Sequence, residues 1–163
     1  MKTNWVEIDL GLLKENIRLA RQALGSRPEI IFVVKDRAYG HGLAPVVKAA
    51  SAVGVKWFGV VDLGEALEVR QADRDARILL LGRTEAADLP VLRDKGIVPV
   101  IVSEEHGLEM SAAAKAEGRV IGVHLKIDTG MGRLGVPWEA AADTASRLRS
   151  AGGLELQGVC THF

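Results

Sequence analysis

Three short stretches of this chain carry side chains that could do covalent or ionic chemistry. The first is Val33-Val34-Lys35-Asp36-Arg37-Ala38-Tyr39-Gly40-His41-Gly42. An apolar run (Ile30, Ile31, Val33, Val34) ends at a lysine, and a glycine-rich turn bearing Tyr39 and His41 follows. An amine held among apolar neighbours loses hydration, which favours its neutral form, and a neutral amine can attack a carbonyl carbon to form a Schiff base. The ordinary alternative is a strand-end lysine that reaches water. The second stretch, His124-Leu125-Lys126-Ile127-Asp128-Thr129-Gly130-Met131-Gly132-Arg133-Leu134-Gly135, puts a lysine inside a strand pattern and an arginine in the loop beyond it. A lysine in a strand interior needs an anionic partner or a change of charge. Alternation puts Asp128 on the same face as Lys126. Arg133 offers a fixed fork of donors for a phenolate, carboxylate or phosphate. A surface loop with an ordinary ion pair is the alternative here. The third stretch is Cys160-Thr161-His162-Phe163. Cys160 reads as a small buried hydrophobe rather than a nucleophile, and a lone histidine in such a place is more often structural than catalytic.

The elements that must position these groups alternate along the chain. Apolar runs predict strands at Glu29 to Lys35, Trp57 to Val61, Ile78 to Leu81, Val98 to Val102, Val120 to Ile127 and Leu156 to Thr161. Leu13, Ile17, Ala20 and Leu24 fall at helical spacing behind Asp9, a good helix cap. Further helices are expected at Leu43 to Val53, from Asp62 through Val69, at Ala86 to Leu92 (irregular at Pro90), from Ser103 to about Ala116, and at Trp138 to Leu148. Trp5 to Leu10 alternates and reads as one more short strand, belonging either to this set or to a separate β-domain. The strands are near-continuous apolar runs, which indicates a parallel sheet covered on both faces. Six strand–helix steps fit a (β/α)₈ TIM-type barrel truncated to about six β/α units. A flavodoxin-like or Rossmann sheet is the competitor, and no G-x-G-x-x-G follows the first strand to support it. All three chemical stretches fall at strand C-terminal ends, the ligand end of such folds.

Composition narrows the class. The chain has 163 residues, 48% of them hydrophobic, with 21 basic and 21 acidic side chains. That is enough for one sizeable core and leaves no basic surplus for nucleic acid or an anionic membrane. One cysteine excludes an internal disulfide. No apolar run is long enough to span a bilayer, and the first residues lack the apolar stretch of a signal peptide, so the expected setting is the cytoplasm.

Taken together, the segments EIDL with Asn16 in the first helix, VVK followed by AYGHG, HLKIDTGMGRLGV and GVCTHF resemble the N-terminal barrel of alanine racemases, the fold-type III enzymes that use pyridoxal phosphate. They occur in the family's order from residue 5 to 163. The resemblance implies an isomerase that interconverts L- and D-alanine, supplying D-alanine for peptidoglycan. A serine or broad-specificity amino-acid racemase would look the same over this span, and a non-catalytic barrel portion that only binds the cofactor or assembles with a partner chain is the alternative from another class. By the same resemblance Lys35 would carry the cofactor as a Schiff base and move the α-proton on one face of the substrate. Tyr39 would lie beside the cofactor phosphate. Arg133 would bind the phenolic oxygen and help receive the substrate, and His162 would pack against the pyridine ring. Lys126 would match a lysine often carboxylated on its side-chain nitrogen, which would hold Arg133. No metal is expected.

Two departures stand out. The family reads lysine, a small residue, then Asn or Asp before AYGHG, whereas this chain has Asp36 and Arg37. Strand alternation would put Arg37 on the side of Lys35, where a cation favours the neutral amine and Asp36 opposes it. The second departure is length. In the family the barrel continues past THF, and a C-terminal β-domain follows with most phosphate contacts and a second base from the partner subunit of a homodimer. Residues 1–163 are therefore expected to be an incomplete barrel domain with little or no activity alone.

Overall fold

The computed structural model describes residues 4–25 and 27–163. Helix α1 (Leu10–Leu24) opens on Asp9, whose carboxylate accepts from the Gly11 and Leu12 N–H groups at 2.7 and 3.0 Å. Strand and helix then alternate: β1 (Ile31–Val33), α2 (Leu43–Ser51), β2 (Trp57–Val60), α3 (Leu63–Ala72), β3 (Arg77–Leu80), α4 (Leu89–Asp94), β4 (Ile97–Ile101), α5 (Glu104–Ala116), β5 (Ile121–Asp128), α6 (Ala141–Ala151) and β6 (Leu154–Cys160). Single 3₁₀ turns precede α4 at Ala86–Asp88 and α6 at Trp138–Ala140. Asp62 and Ser103 cap α3 and α5 by accepting from the Glu65 and His106 N–H groups.

All strand pairs are parallel, and the spatial order β1-β2-β3-β4-β5-β6 repeats the sequence order. A doubly wound sheet reverses direction at a switch point, so sequential order excludes the flavodoxin-like and Rossmann alternatives and leaves the α/β barrel. β1 and β6 are the sheet's outer edges among the described residues. Val136–Pro137 adds a two-residue parallel ladder to the end of β5.

Alternation divides the sheet cleanly into two faces. Ile78, Leu80, Ile97, Ile101, Val123 and Leu125 pack outward against the helices, with Val47, Met110 and Leu148 in the same core. Leu79, Val100 and Val102 point inward, with Trp57, Leu81, Val98, Leu134 and Cys160 packed against them. The β5–β6 register shifts between Val123 and His124, so that Gln157 is an extra residue and Gly158 faces His124. This bulge sets which β6 side chains look into the barrel.

Three expectations fail. Residues 4–9 form no strand, and Trp5 and Val6 are 79% and 82% exposed. They pair with no strand among the described residues. The first barrel strand stops at Val33, two residues before Lys35, because the backbone then turns left-handed. The last helix begins at Ala141 rather than Trp138, whose turn is a 3₁₀ entry.

Candidate active site at the strand C-terminal ends

Lys35 enters a turn, Lys35–Tyr39, in which Asp36, Arg37, Ala38 and Tyr39 all have φ between 52° and 57°. The turn has helical hydrogen bonds of the opposite hand: the Ala38 N–H donates to Val34 at 2.8 Å, and the Gly40 N–H to Asp36 at 3.0 Å. Each non-glycine residue in this conformation costs about 1–2 kcal/mol. The surroundings hold it. The Val34 N–H donates to Gly59 of β2 at 2.8 Å, and Ala38 is 3% exposed within the main core. Strain of this kind collects where function needs a fixed geometry. Its consequence is that strand alternation does not apply past Val34, so Arg37 is not set beside Lys35 by pleating. Arg37 is exposed. The Lys35 side chain is 31% exposed, and its amine lies 3.9 Å from the Asp36 carboxylate. It is a half-open amine beside an acid, not an amine sealed among apolar groups. Tyr39 is 58% exposed.

Across the barrel, β5 presents Lys126 half-buried on the inner face. Its register partner is Cys160. Burial pushes the Cys160 thiol up, and the nearby Lys126 charge works against that, so Cys160 behaves as a packed hydrophobe. Asp128 does not serve Lys126 as an ion-pair partner. Its carboxylate accepts from the Gly130 N–H at 3.0 Å and from the Gly132 N–H at 3.0 and 3.1 Å. These loop N–H groups, first Gly130 and then Gly132, hold it below its usual range, with a smaller contribution from Lys126. Asp128 thus folds the glycine loop that carries Arg133. Arg133 is exposed, and no carboxylate lies within 4.0 Å of it among the described residues. The Thr129 and Thr161 hydroxyls meet at 2.7 Å and tie the ends of β5 and β6 together. His162 follows, exposed, with Nδ1 2.8 Å from the Phe163 carbonyl. Among the described residues, no hydrogen bond or ion pair links Lys35, Tyr39, Lys126, Arg133 and His162 to one another. Each lies at or just beyond the C-terminal end of β1, β5 or β6.

Two histidines that the sequence did not single out are fixed nearby. His124 lines the inner face, its ring 6.2 Å from Trp57, and burial lowers its pKa. Gly158 makes room for it, since a Cβ there would lie 2.7 Å from His124 Cε1. His106 is 1% exposed, and the Val102 N–H donates to its Nδ1 at 3.3 Å. His106 Nε2 and the Thr84 hydroxyl lack hydrogen-bond partners among the described residues. Only the β5–β6 register and the turn from β4 into α5 reveal their settings, and neither leaves a spacing signal in the chain. No three His, Cys, Asp or Glu side chains among the described residues are grouped to hold a metal ion, and no described helix is long and apolar enough to cross a membrane.

Residues 8–163 match the family described as alanine racemase, N-terminal domain. The chain is 37% identical over 160 residues to an alanine racemase of Methylacidiphilum infernorum, covering 98% of this chain and 41% of that protein. It superposes on a crystal structure of the Bacillus anthracis alanine racemase with bound L-Ala-P at a TM-score of 0.87 and 32% identity, covering 98% of this chain and 41% of that one. An alanine racemase from Bartonella henselae, described with covalently bound pyridoxal phosphate, has a TM-score of 0.84 at 22% identity, covers 96% of this chain and 45% of its own, and speaks to the fold alone. The chain spans about two-fifths of the length of the curated relatives it matches.

Proposed function

This chain belongs to the alanine racemase N-terminal domain family, and from that premise we propose that it is the barrel part of an enzyme interconverting L- and D-alanine. The observation that carries the reading is Lys35: a half-exposed amine at the C-terminal mouth of a parallel barrel, held by a strained left-handed turn. Pyridoxal phosphate is the family's cofactor, and when bound its conjugated ring spreads the negative charge left on a carbon that has lost a proton.

The side chains present suit that group. Lys35 supplies an amine for its carbonyl, with one carboxylate 3.9 Å away and its side chain 31% exposed. Arg133 supplies a donor fork without a competing carboxylate, for the phenolic oxygen and the substrate carboxylate. The Tyr39 hydroxyl is exposed beside the turn and is read as a phosphate contact. His162 is read as packing on the ring face, and Lys126, once carboxylated and so made an anion, as the neighbour that steadies Arg133. In this reading Lys35 Nζ holds and returns a proton on one face of the substrate carbon. Racemisation needs an acceptor on the other face as well. We place that second base outside residues 1–163, in a C-terminal β-domain of the partner subunit of a homodimer, in the cytoplasm. Residues 1–163 alone then have little or no turnover.

The test is a chimera in which residues 1–163 replace the matching part of the Methylacidiphilum relative. We expect D-alanine from L-alanine, loss of activity in Lys35→Ala, and slower turnover of L-serine. A folded chimera that stays inactive even with Asp36→Ala and Arg37→Asn would overturn the reading, and faster serine turnover would replace alanine as the substrate.

A further inference from the structure

At the end of the strands opposite Lys35, the starts of β2, β3 and β4 surround a concavity of about 870 Å³. Its wall carries five cations, Arg70, Arg74, Arg77, Arg93 and Lys95, against two carboxylates, Asp75 and Asp94. Counting Glu117, which pairs with Arg93, the wall still carries a local surplus of two positive charges on a chain whose 21 basic and 21 acidic residues cancel.

Two of the five cations are used by the fold. The Arg70 guanidinium donates to the carbonyls of Lys95, Arg74, Ala76 and Gly96 at 2.9, 2.7, 2.6 and 3.3 Å. Arg93 pairs with Asp94 at 2.8 Å and Glu117 at 2.9 Å. Arg74, Arg77 and Lys95 remain. All three are exposed, and among the described residues no carboxylate lies within 4.0 Å of any of them. Arg77 lies over the Trp57 ring, 5.5 Å from its centroid, a cation–π contact that favours this direction. Gln157 borders the far side, its amide donating to Glu155 at 3.1 Å. Like charges held side by side raise one another's energy until an anion offsets them.

We propose that this bowl binds a small anion bearing two or more linked phosphates, with Arg74, Arg77 and Lys95 as its contacts. Guanidinium forks match phosphate oxygens in pairs, and the concavity has the size of a small-ligand site. The chain as a whole carries no basic surplus, which favours a compact anion over a nucleic-acid strand. The site is separate from the chemistry at Lys35 and does not depend on it.

The experiment is a calorimetric titration of the 163-residue chain with inorganic tripolyphosphate at low salt. One saturable site is expected. The Arg74→Gln/Lys95→Gln double variant should bind about tenfold more weakly or worse. Its fold should be unchanged by circular dichroism, since only the backbone carbonyls of these residues hold Arg70. Lys35→Ala should bind like the parent chain. The proposal fails if the parent shows no binding, if the double variant binds equally well, if Lys35→Ala abolishes binding, or if sodium sulfate at matched ionic strength binds as tightly.

Discussion

His106 shows how a single buried side chain can set the pH response of this protein. Accepting at Nδ1 from the Val102 N–H requires the neutral ring, and burial, with Arg83 next in weight, lowers its pKa from the ordinary 6.5. The Thr84 backbone, Glu109 and Glu85 pull weakly the other way. His124 is lowered by burial in the same sense. A depressed histidine leaves folding unpenalised above the unfolded-state value. As pH falls below 6.5 the unfolded chain takes up a proton that the folded chain resists, and stability drops until the folded pKa is passed. Urea midpoints should therefore be flat from pH 8 to about 7 and decline below about 6.5, with a shallower decline in His106→Gln. A flat profile to pH 5 would contradict this assignment. Arg37 makes a second prediction. It is exposed and left-handed at φ 57°, so Arg37→Gly should raise stability by about 0.5 kcal/mol, relief of backbone strain being partly offset by greater unfolded-chain freedom. Arg37→Val should lower it by about 1 kcal/mol or more, because a β-branched residue tolerates this region worse. Thermal midpoints of the two variants should move in opposite directions. Lys35 itself stood out in the chain because an amine after an apolar run is unusual. The left-handed turn that presents it did not, since four non-glycine residues of that hand have no local signature and are held by Gly59 and the core around Ala38.

Elements were legible where burial on both faces wrote an uninterrupted apolar run, as in β3 (Arg77–Leu80) and β4 (Ile97–Ile101). They were less legible where partners decide. Trp5 to Leu10 alternates like a strand, yet residues 4–9 pair with no strand among the described residues. Asp128 alternates onto the face of Lys126, yet its carboxylate is taken by loop N–H groups, because two backbone donors close in sequence are available at no further cost in chain entropy. The helix layer depends on one close crossing. At Gly107 of α5 (Glu104–Ala116) an added Cβ would lie 2.5 Å from Leu148 of α6 (Ala141–Ala151) and 3.0 Å from Ile101 of β4. Gly107→Ala should accordingly destabilise by about 1–3 kcal/mol, although alanine is the better helix former by about 1 kcal/mol. Chemical denaturation measures the sign directly. A stabilised Gly107→Ala variant would mean that α5 and α6 pack less closely than described.

At the scale of the whole molecule, six parallel strands in sequence order make a barrel wall whose edges, β1 (Ile31–Val33) and β6 (Leu154–Cys160), are unpaired among the described residues. Strand alternation exposes Ile31 and Val159 at 42% and 66% along those edges. Unpaired edges with apolar side chains pair with other chains. Sedimentation of the 163-residue chain should therefore show association that grows with concentration, and a strictly monomeric chain at about 100 μM would contradict that view. The parallel α/β class and the ligand end of the sheet could be read from the βα alternation, whereas the barrel was separated from a doubly wound sheet by the sequential strand order. Which β6 side chains face into the barrel could not, because that depends on strand register and on the bulge at Gln157. The most direct test of the central claim, that Lys35 is the covalent anchor for pyridoxal phosphate, is the absorbance spectrum of the purified chain titrated with the cofactor, with Lys35→Ala as control. The account predicts a band near about 420 nm in the parent chain that is missing in the variant. An equal band in both would place the attachment on another amine and contradict the account.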